Sequence, residues 1–176
     1  MKIMILSDSH SMSKSNLLSL LKSQSVDYYI HCGDIFMPYD TLPLNNFYLV
    51  RGNNDFNNTP KEITITLDNK TFFVTHGHTY DVDYTTSNLL EKASEIKANV
   101  ICYGHTHAPL LEKEDDILII NPGSVTYPRG SYRNTTYAIL DTQTMEVSFY
   151  DASTHIICNP FSANKERHIF FKKLFK

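Results

Sequence analysis

KIMILSDSH, the stretch from Lys2 to His10, decides how this chain folds. Its apolar part is a short continuous run, so it predicts a buried strand that ends near Ser7. Leu17 and Leu21 follow at helical spacing and predict a helix directly after that strand. A chain that opens as strand and then helix is typical of α/β folds.

The same alternation continues, and the second half of the chain is mostly sheet. Val26 to Cys32 and Phe47 to Val50 predict two more buried strands, and this rhythm favours a parallel sheet. Asp68-Asn69 separates two apolar arms and predicts a hairpin. Asn88, with Glu91 three residues later, predicts that a second helix begins with a capping box. Further short strands are predicted at residues 100–103, 108–111, 117–120, 137–140 and 146–150.

Composition and charge exclude several classes of protein. The 176 residues are 41% hydrophobic and 20% charged, which excludes a disordered or fibrous chain. A net charge of −3 supplies no general attraction to a nucleic-acid backbone, so we expect no polymeric nucleic acid as a partner. Three cysteines without a paired spacing favour a reducing compartment, and no run predicts a signal peptide or a membrane helix. We therefore expect one cytoplasmic domain, residues 1–176, of mixed sheets covered by helices.

Residues 152–176 form a C-terminal extension whose role the sequence leaves open. From Lys165 to Lys176 this extension mixes basic residues with phenylalanines and is amphipathic. We favour the interpretation that its aromatic side chains pack on the core. The alternative is a segment that lies on a membrane surface or docks a partner.

Polar residues follow five of the predicted strands at the points where the strands end. They are Asp8 and His10, Asp34, Asn53, His76, and His105 with His107. Ligands gather outside the carboxyl ends of strands in open α/β sheets. Each motif alone is weak, because an Asp after a Gly is usually part of a turn, but the seven together predict a metal site. Oxygen and imidazole ligands without a thiolate favour Mn²⁺, Fe, Zn²⁺, Ni²⁺ or Co²⁺ over a cysteine-type structural zinc site.

These ordered motifs resemble those of the calcineurin-like metallophosphoesterase superfamily. They read Asp8-x-His10, Gly33-Asp34, Gly52-Asn53-x-Asp55, His76-Gly77-His78 and Gly104-His105-x-His107. Asn121-Pro122-Gly123-Ser124 narrows the resemblance to the small single-domain bacterial and archaeal phosphodiesterase branch. The resemblance spans Met1 to Asp151. It implies an α/β fold that is a four-layer α/β/β/α sandwich, in which two mixed β-sheets are flanked by helices.

The resemblance also implies two divalent metal ions and assigns their ligands. Asp8, His10 and His107 would hold one ion, Asn53, His76 and His105 the other, and Asp34 would bridge both. We favour Mn²⁺, with Ni²⁺, Zn²⁺, Fe and Co²⁺ left open. The implied reaction is in-line attack of a metal-bridging hydroxide on a small phosphodiester. Because Asn53 and the imidazoles are neutral ligands, one net positive charge would remain to hold a phosphate.

Four residues beside these ligands are candidates for catalysis or substrate binding. Asn54 stands where many larger family members have a His, and an amide can donate a hydrogen bond to phosphate but cannot deliver a proton. This difference favours diesters as substrates. Asp55 is a candidate for orienting a ligand. His78 and Arg129 are candidates for leaving-group or phosphate contacts, and their alternatives are a structural hydrogen bond and a solvated loop charge.

A function of a different class stays open from the sequence. The small subunit of the retromer coat is a protein-binding scaffold of this fold, in which several ligand positions are altered. Every ligand position is filled here, so we favour the enzyme over the scaffold. No membrane partner is expected, a homo-oligomer is left open, and His31 is predicted to be a hydrogen-bonded core histidine.

Overall fold

The computed structural model describes residues 1–38, 42, 45–56 and 58–161. Over these residues the chain forms two helices, α1 (Lys14–Leu21) and α2 (Ser87–Glu95), and eleven strands. The strands are β1 (Lys2–Leu6), β2 (Tyr28–His31), β3 (Phe47–Leu49), β4 (Glu62–Leu67), β5 (Lys70–Thr75), β6 (Val100–Cys102), β7 (Leu110–Glu114), β8 (Ile117–Asn121), β9 (Thr136–Asp141), β10 (Glu146–Asp151) and β11 (Ile157–Cys158). The basic segment from Lys165 to Lys176 lies outside the described residues.

Strand β1 lies inside a six-stranded sheet of the order β11-β10-β9-β1-β2-β3. β1 pairs in parallel with β2, which places Ile5 opposite Ile30, and β2 pairs in parallel with β3. On its other side β1 pairs antiparallel with β9. The predicted parallel start of the fold is confirmed, within a sheet that is mixed as a whole.

The second sheet has five strands in the order β4-β5-β6-β8-β7. Its β4–β5 hairpin turns at Asp68 and Asn69, whose φ angles are 50° and 57°. Two consecutive residues with positive φ give the tight turn whose twist matches a hairpin, and Asn and Asp tolerate that backbone. The predicted hairpin is therefore confirmed. β5, β6 and β8 run in parallel, and β7 returns antiparallel to β8.

Apolar side chains between the two sheets form the central core. Ile5 and Ile30 of the first sheet belong to the same cluster as Val74 and Cys102 of the second, and all four are completely buried. Each buried aliphatic side chain of this size contributes about 1.5–3 kcal/mol. α1 packs on the outer face of the first sheet and α2 on the outer face of the second. The order is helix, sheet, sheet, helix, so the predicted four-layer α/β/β/α sandwich is confirmed.

Some predicted boundaries are wrong for local reasons. The capping box at Asn88 is wrong, because α2 begins one residue earlier and the Asn88 amide donates to the Tyr80 carbonyl instead (3.3 Å). The strand predicted from Ala108 begins at Leu110, because Pro109 has no N–H to donate to the ladder. β11 was not predicted, since two paired residues leave no pattern in a sequence.

The fold brings the ends of five strands together. β1, β2 and β3 run in one direction, and so do β5 and β6 in the other sheet. Contacts between the sheets join their ends: the His105 N–H donates to the Asp8 carboxylate (3.2 Å), and His76 Nδ1 donates to the Cys32 carbonyl (2.6 Å). The chain segments that leave these strands carry the candidate ligands. Among the helices of the described residues, none is long and apolar enough to cross a membrane.

Candidate metal centre

The backbone bends sharply at the strand ends that carry the candidate ligands. Positive φ angles occur at Asp8 (56°), His10 (36°), Asp34 (56°), His105 (68°) and His107 (57°). For residues other than glycine this conformation is uncommon and costs about 1–3 kcal/mol each, and it clusters at functional sites. Five of the seven candidate ligand residues therefore adopt a backbone conformation that lowers the stability of the fold and directs their side chains toward one place.

One group of ligand atoms forms around Asp8. Asp8 Oδ1 lies 3.1 Å from His107 Nε2 and 3.7 Å from His10 Nε2. The two imidazole nitrogens lie 3.3 Å apart. These three residues are those that the family resemblance assigns to one metal ion, and their ligand atoms all lie within 4.8 Å of one another.

A second group joins the first through Asp34 and His76. Asp34 Oδ2 lies 3.6 Å from His76 Nε2, and Asp8 Oδ1 lies 3.9 Å from the same nitrogen. Asn53 Oδ1 lies 3.1 Å from His76 Nε2 and 3.0 Å from His105 Nδ1. Thus the structure brings all seven predicted ligand residues into one cluster. Asp8 contacts both groups, as does Asp34, which also lies 3.7 Å from His10.

Backbone carbonyls fix the orientation of two imidazoles. His76 Nδ1 donates to the Cys32 carbonyl (2.6 Å), and His107 Nδ1 donates to the Tyr127 carbonyl (2.7 Å). A carbonyl can only accept, so each Nδ1 carries a proton. Both Nε2 atoms therefore face the cluster, which is the arrangement that metal-binding histidines adopt when an outer partner holds the ring.

Electrostatics at the cluster favour positive charge. Burial opposes ionisation of Asp34, but His76 and the hydrogen bonds from Asn54 hold its pKa well below the usual range. For His76 burial lowers the pKa, yet the nearby Asp34 and Asp8 carboxylates raise it more, so its pKa lies above the ordinary value. Burial lowers the pKa of His10, which favours its neutral, ligating form. Two ionised carboxylates in a buried place thus attract a cation.

The residues present fit a divalent metal ion. Asp8 Oδ1 is buried and has no hydrogen-bond partner among the residues that the structure describes. Leaving a carboxylate oxygen without a partner away from water is costly. The atoms that surround it are nitrogens of His10, His76 and His107, which can bind a metal through their lone pairs. A cation among these atoms would satisfy the carboxylate and the imidazoles together.

Asn54 and Asp55 both act on Asp34. The Asn54 N–H donates to Asp34 Oδ1 (2.9 Å) and its side-chain amide donates to Oδ2 (2.7 Å). The Asp55 carboxylate accepts the backbone N–H groups of Asp34 (2.8 Å), Phe36 (2.8 Å) and Gly52 (2.9 Å). In this structure Asn54 and Asp55 therefore both position the Asp34 carboxylate and its loop.

Replacing Asp55 with asparagine should lower the free energy of unfolding by about 2–3 kcal/mol, because a buried amide group would face backbone N–H groups that need an acceptor. Urea unfolding followed by circular dichroism measures this loss. Asp151→Asn is the matched control, since Asp151 also accepts backbone N–H groups, those of Ser153 and Thr154, but at a more exposed turn. We expect that control to lose less than about 1 kcal/mol. Equal losses in the two variants would contradict this role of Asp55.

His78 and Arg129 both lie near the cluster, but His78 is partly buried and Arg129 is exposed. The His78 ring centroid lies 5.4 Å from that of His76 and 6.1 Å from that of His105. Its Nδ1 is buried and unpartnered within the described part of the chain, and burial lowers its pKa. Arg129 is exposed, and its backbone N–H donates to the His107 carbonyl (3.0 Å). Contacts of these side chains with a substrate stay predictions.

His31 is a core histidine, as the sequence predicts. It is completely buried, its Nε2 donates to Ser9 Oγ (3.0 Å) and its Nδ1 accepts the Gly33 N–H (3.2 Å). Burial lowers the pKa of His31 to about 4, so it is neutral near pH 7. Both ring nitrogens are occupied, and His31 supports the loop that carries Asp34.

The motif at residues 121–124 organises two of the ligand loops. The Asn121 amide donates to the Gly104 carbonyl (2.9 Å) and to Thr106 Oγ1 (3.0 Å). Ser124 Oγ donates to the Asp8 carbonyl (2.9 Å). From the sequence, this motif narrows the family resemblance but carries no structural role. In the structure it holds the backbone of the loops that carry Asp8 and His105.

Asp83 is a site residue that sequence reasoning missed. Its carboxylate lies 3.2 Å from His105 Nε2, while His105 Nδ1 faces Asn53. A carboxylate beside the outer nitrogen of a ligating histidine fixes the ring and makes the ligand more basic. No signal marks Asp83 in the sequence, because it is one of two acidic residues in a short loop after His78.

Replacing Asp83 with asparagine should weaken Mn²⁺ binding about tenfold, the lower end of such effects, because the carboxylate is 57% exposed. Calorimetric titration of the metal-free chain measures the affinity. Asp81→Asn in the same loop is the control and should bind Mn²⁺ as the unmodified chain does. Wild-type affinity in the Asp83 variant would show that the carboxylate does not support His105.

An α/β/β/α sandwich with this donor set at its strand ends is the architecture of a metallophosphoesterase. The chain belongs to the calcineurin-like phosphoesterase superfamily, whose domain model matches residues 1–145. It is 36% identical over 155 residues to the probable metallophosphoesterase YsnB of Bacillus subtilis, and the aligned region covers 86% of this chain and 91% of that protein. It is 34% identical over 171 residues to the phosphodiesterase MJ0936 of Methanocaldococcus jannaschii, covering 83% and 96%.

Solved structures show the same fold. A conserved uncharacterized protein of Streptococcus pneumoniae TIGR4, a predicted phosphoesterase, superposes with a TM-score of 0.81 and 30% identity over 89% of this chain and 92% of that one. Wild-type Vps29 of Entamoeba histolytica, in complex with Zn²⁺, gives a TM-score of 0.72 over 90% of this chain and 96% of that one. At 17% identity the second likeness concerns the fold alone.

Proposed function

We propose that this protein is a phosphodiesterase that hydrolyses a small phosphodiester with two divalent metal ions bound at the cluster. The observation that carries the proposal is the buried Asp8 Oδ1, without a hydrogen-bond partner in the described residues and surrounded by three imidazole nitrogens. The relative MJ0936, named a phosphodiesterase, supports the choice of reaction.

We propose that the ligands divide between the two ions as the family resemblance implies. Asp8, His10 and His107 would hold one ion, Asn53, His76 and His105 the other, and Asp34 would contact both. Divalent ions supply Lewis acidity toward a phosphoryl group and a water of lowered pKa for in-line attack. We propose Mn²⁺ because Asp8, Asp34 and Asn53 supply the carboxylate and carbonyl oxygens that suit it, and Zn²⁺, Fe and Ni²⁺, which imidazoles suit, are the alternatives.

The charge of the ligand set suits an anionic substrate. Asp8 and Asp34 are the two carboxylates within the cluster, and Asn53 contributes a neutral amide oxygen. Two divalent ions would exceed the charge of these carboxylates, and the remaining positive charge would attract a phosphate. An acidic residue in place of Asn53 would cancel part of that attraction.

The Asn54 side chain favours phosphodiesters with good leaving groups as substrates. Both hydrogen bonds from Asn54 go to Asp34, and an amide cannot give a proton to a departing alkoxide. His78 adjoins the cluster, and its buried Nδ1 has no hydrogen-bond partner among the described residues. We propose that this nitrogen contacts the phosphate or the leaving group. Arg129 is proposed as a second phosphate contact at the exposed rim.

A protein-binding scaffold is the second candidate function, because the small retromer-coat subunit has this fold; the likeness to Vps29 shows that the fold is shared and nothing further. The complete ligand set favours the enzyme. Metal binding alone does not separate the two functions, since that Vps29 structure also contains Zn²⁺. Turnover separates them. A cytoplasmic location and the absence of a nucleic-acid or membrane partner stay predictions, and the oligomeric state stays open.

The test compares hydrolysis of bis(p-nitrophenyl) phosphate and p-nitrophenyl phosphate by metal-free chain, with and without added Mn²⁺. We expect Mn²⁺-dependent cleavage with the diester preferred. His10→Asn should lose this activity and His155→Asn should keep it; both histidines have positive φ, which asparagine tolerates. Stoichiometric Mn²⁺ binding without turnover of either ester would overturn the enzyme and favour the scaffold.

A further inference from the structure

We propose that a pocket beside the metal cluster binds a flat aromatic substituent of the diester, so that the natural substrate carries an aromatic ring next to its phosphate. This inference rests on the proposed phosphodiesterase function. The pocket has a volume of about 310 Å³ and is lined by Phe36, Met37, Pro38, Asp55 and Phe56. Pockets that bind small ligands begin at about this size.

The pocket adjoins the cluster through Phe36. Phe36 follows Asp34 by two residues, and its ring centroid lies 5.9 Å from that of His10. Phe56 forms the other wall, with its ring 6.3 Å from that of Phe36 at an angle of 76°. A phosphate held beside His10 and Asp34 would therefore place one of its two substituents against these rings.

The exposure of these rings indicates that they serve a ligand. Phe36 is 53% exposed and Phe56 is 95% exposed. Aromatic side chains of this size normally gain stability by burial, and neighbouring exposed ones mark binding sites. The Tyr127 ring also lies near His10, 5.5 Å away, and is half exposed. Two partly exposed aromatic rings thus adjoin the candidate ligand His10.

The side chains that line the pocket suit contact with the flat faces of an aromatic ring. Four of the five lining side chains are apolar, and the exception is Asp55. The Asp55 oxygens already accept three backbone N–H groups, so they are committed to holding the loops. A surface of this kind binds an aromatic ring by stacking and apolar contact. Such contacts tolerate different rings, because they do not depend on the hydrogen-bonding groups at the ring edge.

The test uses two substrates with the same leaving group, phenyl p-nitrophenyl phosphate and methyl p-nitrophenyl phosphate, and Mn²⁺-loaded full chain. Phe56→Ala should lower kcat/KM for the phenyl diester about tenfold more than for the methyl diester. Phe56→Tyr keeps a flat ring and should keep the wild-type ratio of the two substrates. Ile156→Ala, which removes a 65% exposed side chain next to β11, controls for loss of exposed apolar surface.

A second readout needs no turnover. Calorimetric binding of phenylphosphonate should exceed that of methylphosphonate, and Phe56→Ala should remove the difference. Turnover with no phenyl preference in either readout would overturn the aromatic subsite and leave the phosphodiesterase intact. Phenyl-selective binding without turnover of any diester would overturn the phosphodiesterase and leave the aromatic site. An unchanged ratio in the Phe56→Ala variant would also contradict the subsite.

Discussion

Replacing His76 with alanine should lower diesterase kcat/KM by at least about a thousandfold while the chain stays folded. His76 Nε2 is the nitrogen that faces Asp34, Asp8 and Asn53 together, so its loss removes a ligand from the centre of the cluster. Steady-state hydrolysis of an aryl diester at saturating Mn²⁺ measures the effect. Calorimetry should show that the variant binds less Mn²⁺ than the unmodified chain.

His76→Asn separates the loss of the ligand from the loss of packing. The asparagine amide can still donate to the Cys32 carbonyl that His76 Nδ1 serves, whereas alanine leaves this buried acceptor without a donor. We expect both variants to be inactive and His76→Asn to be more stable by about 1–3 kcal/mol in urea unfolding. Full activity in a folded His76→Ala chain would refute the assignment of His76 as a ligand.

Replacing Gly52 with alanine should reduce activity at least about a hundredfold without removing any ligand. A methyl group at this position would lie 2.0 Å from Asp34 Oδ1 and 2.4 Å from the Asp34 nitrogen. Both distances are far below contact distance, so the Asp34 carboxylate and its loop must move. Activity and Mn²⁺ affinity should fall together, because the displaced carboxylate contacts both ligand groups.

Overpacking at Gly52 should also cost about 1–3 kcal/mol of stability, so a control for stability alone is needed. Thr142→Val provides it. Thr142 is buried and bonds the Met1 carbonyl and the Asp68 carboxylate, away from the cluster. We expect that variant to lose stability and keep activity. A Gly52→Ala chain with normal activity and a normal Mn²⁺ affinity would show that the position of Asp34 is not critical.

The individual strands and helices could be predicted because each carries its own sequence pattern, whereas the four-layer arrangement was implied by the family resemblance. The apolar run before Asp8 is a strand in the structure, and the Asp68-Asn69 turn is where the hairpin bends. The boundaries were less predictable, since they depend on neighbours in space. Asn88 is a residue type that often caps helices, but in the folded chain α2 begins at Ser87 and includes Asn88 in its first turn.

The cluster of ligands could be predicted because Asp, His and Asn side chains mark the strand ends. Contacts that use the backbone could not be predicted in this way. The carbonyls of Cys32 and Tyr127 fix two imidazoles, and any residue type could supply them. Asp83 and the pair of exposed phenylalanines were missed for a related reason, since only the folded chain places them beside the cluster.

The most direct measurement is a titration of metal-free chain with Mn²⁺ in which bound ions and diesterase activity are determined on the same samples. We expect two bound ions per chain, with hydrolysis of the aryl diester reaching its maximum only when both are bound. His76→Asn should bind fewer ions and stay inactive at every point. Full diesterase activity in the metal-free chain, or maximal activity with a single bound ion, would contradict the two-metal centre.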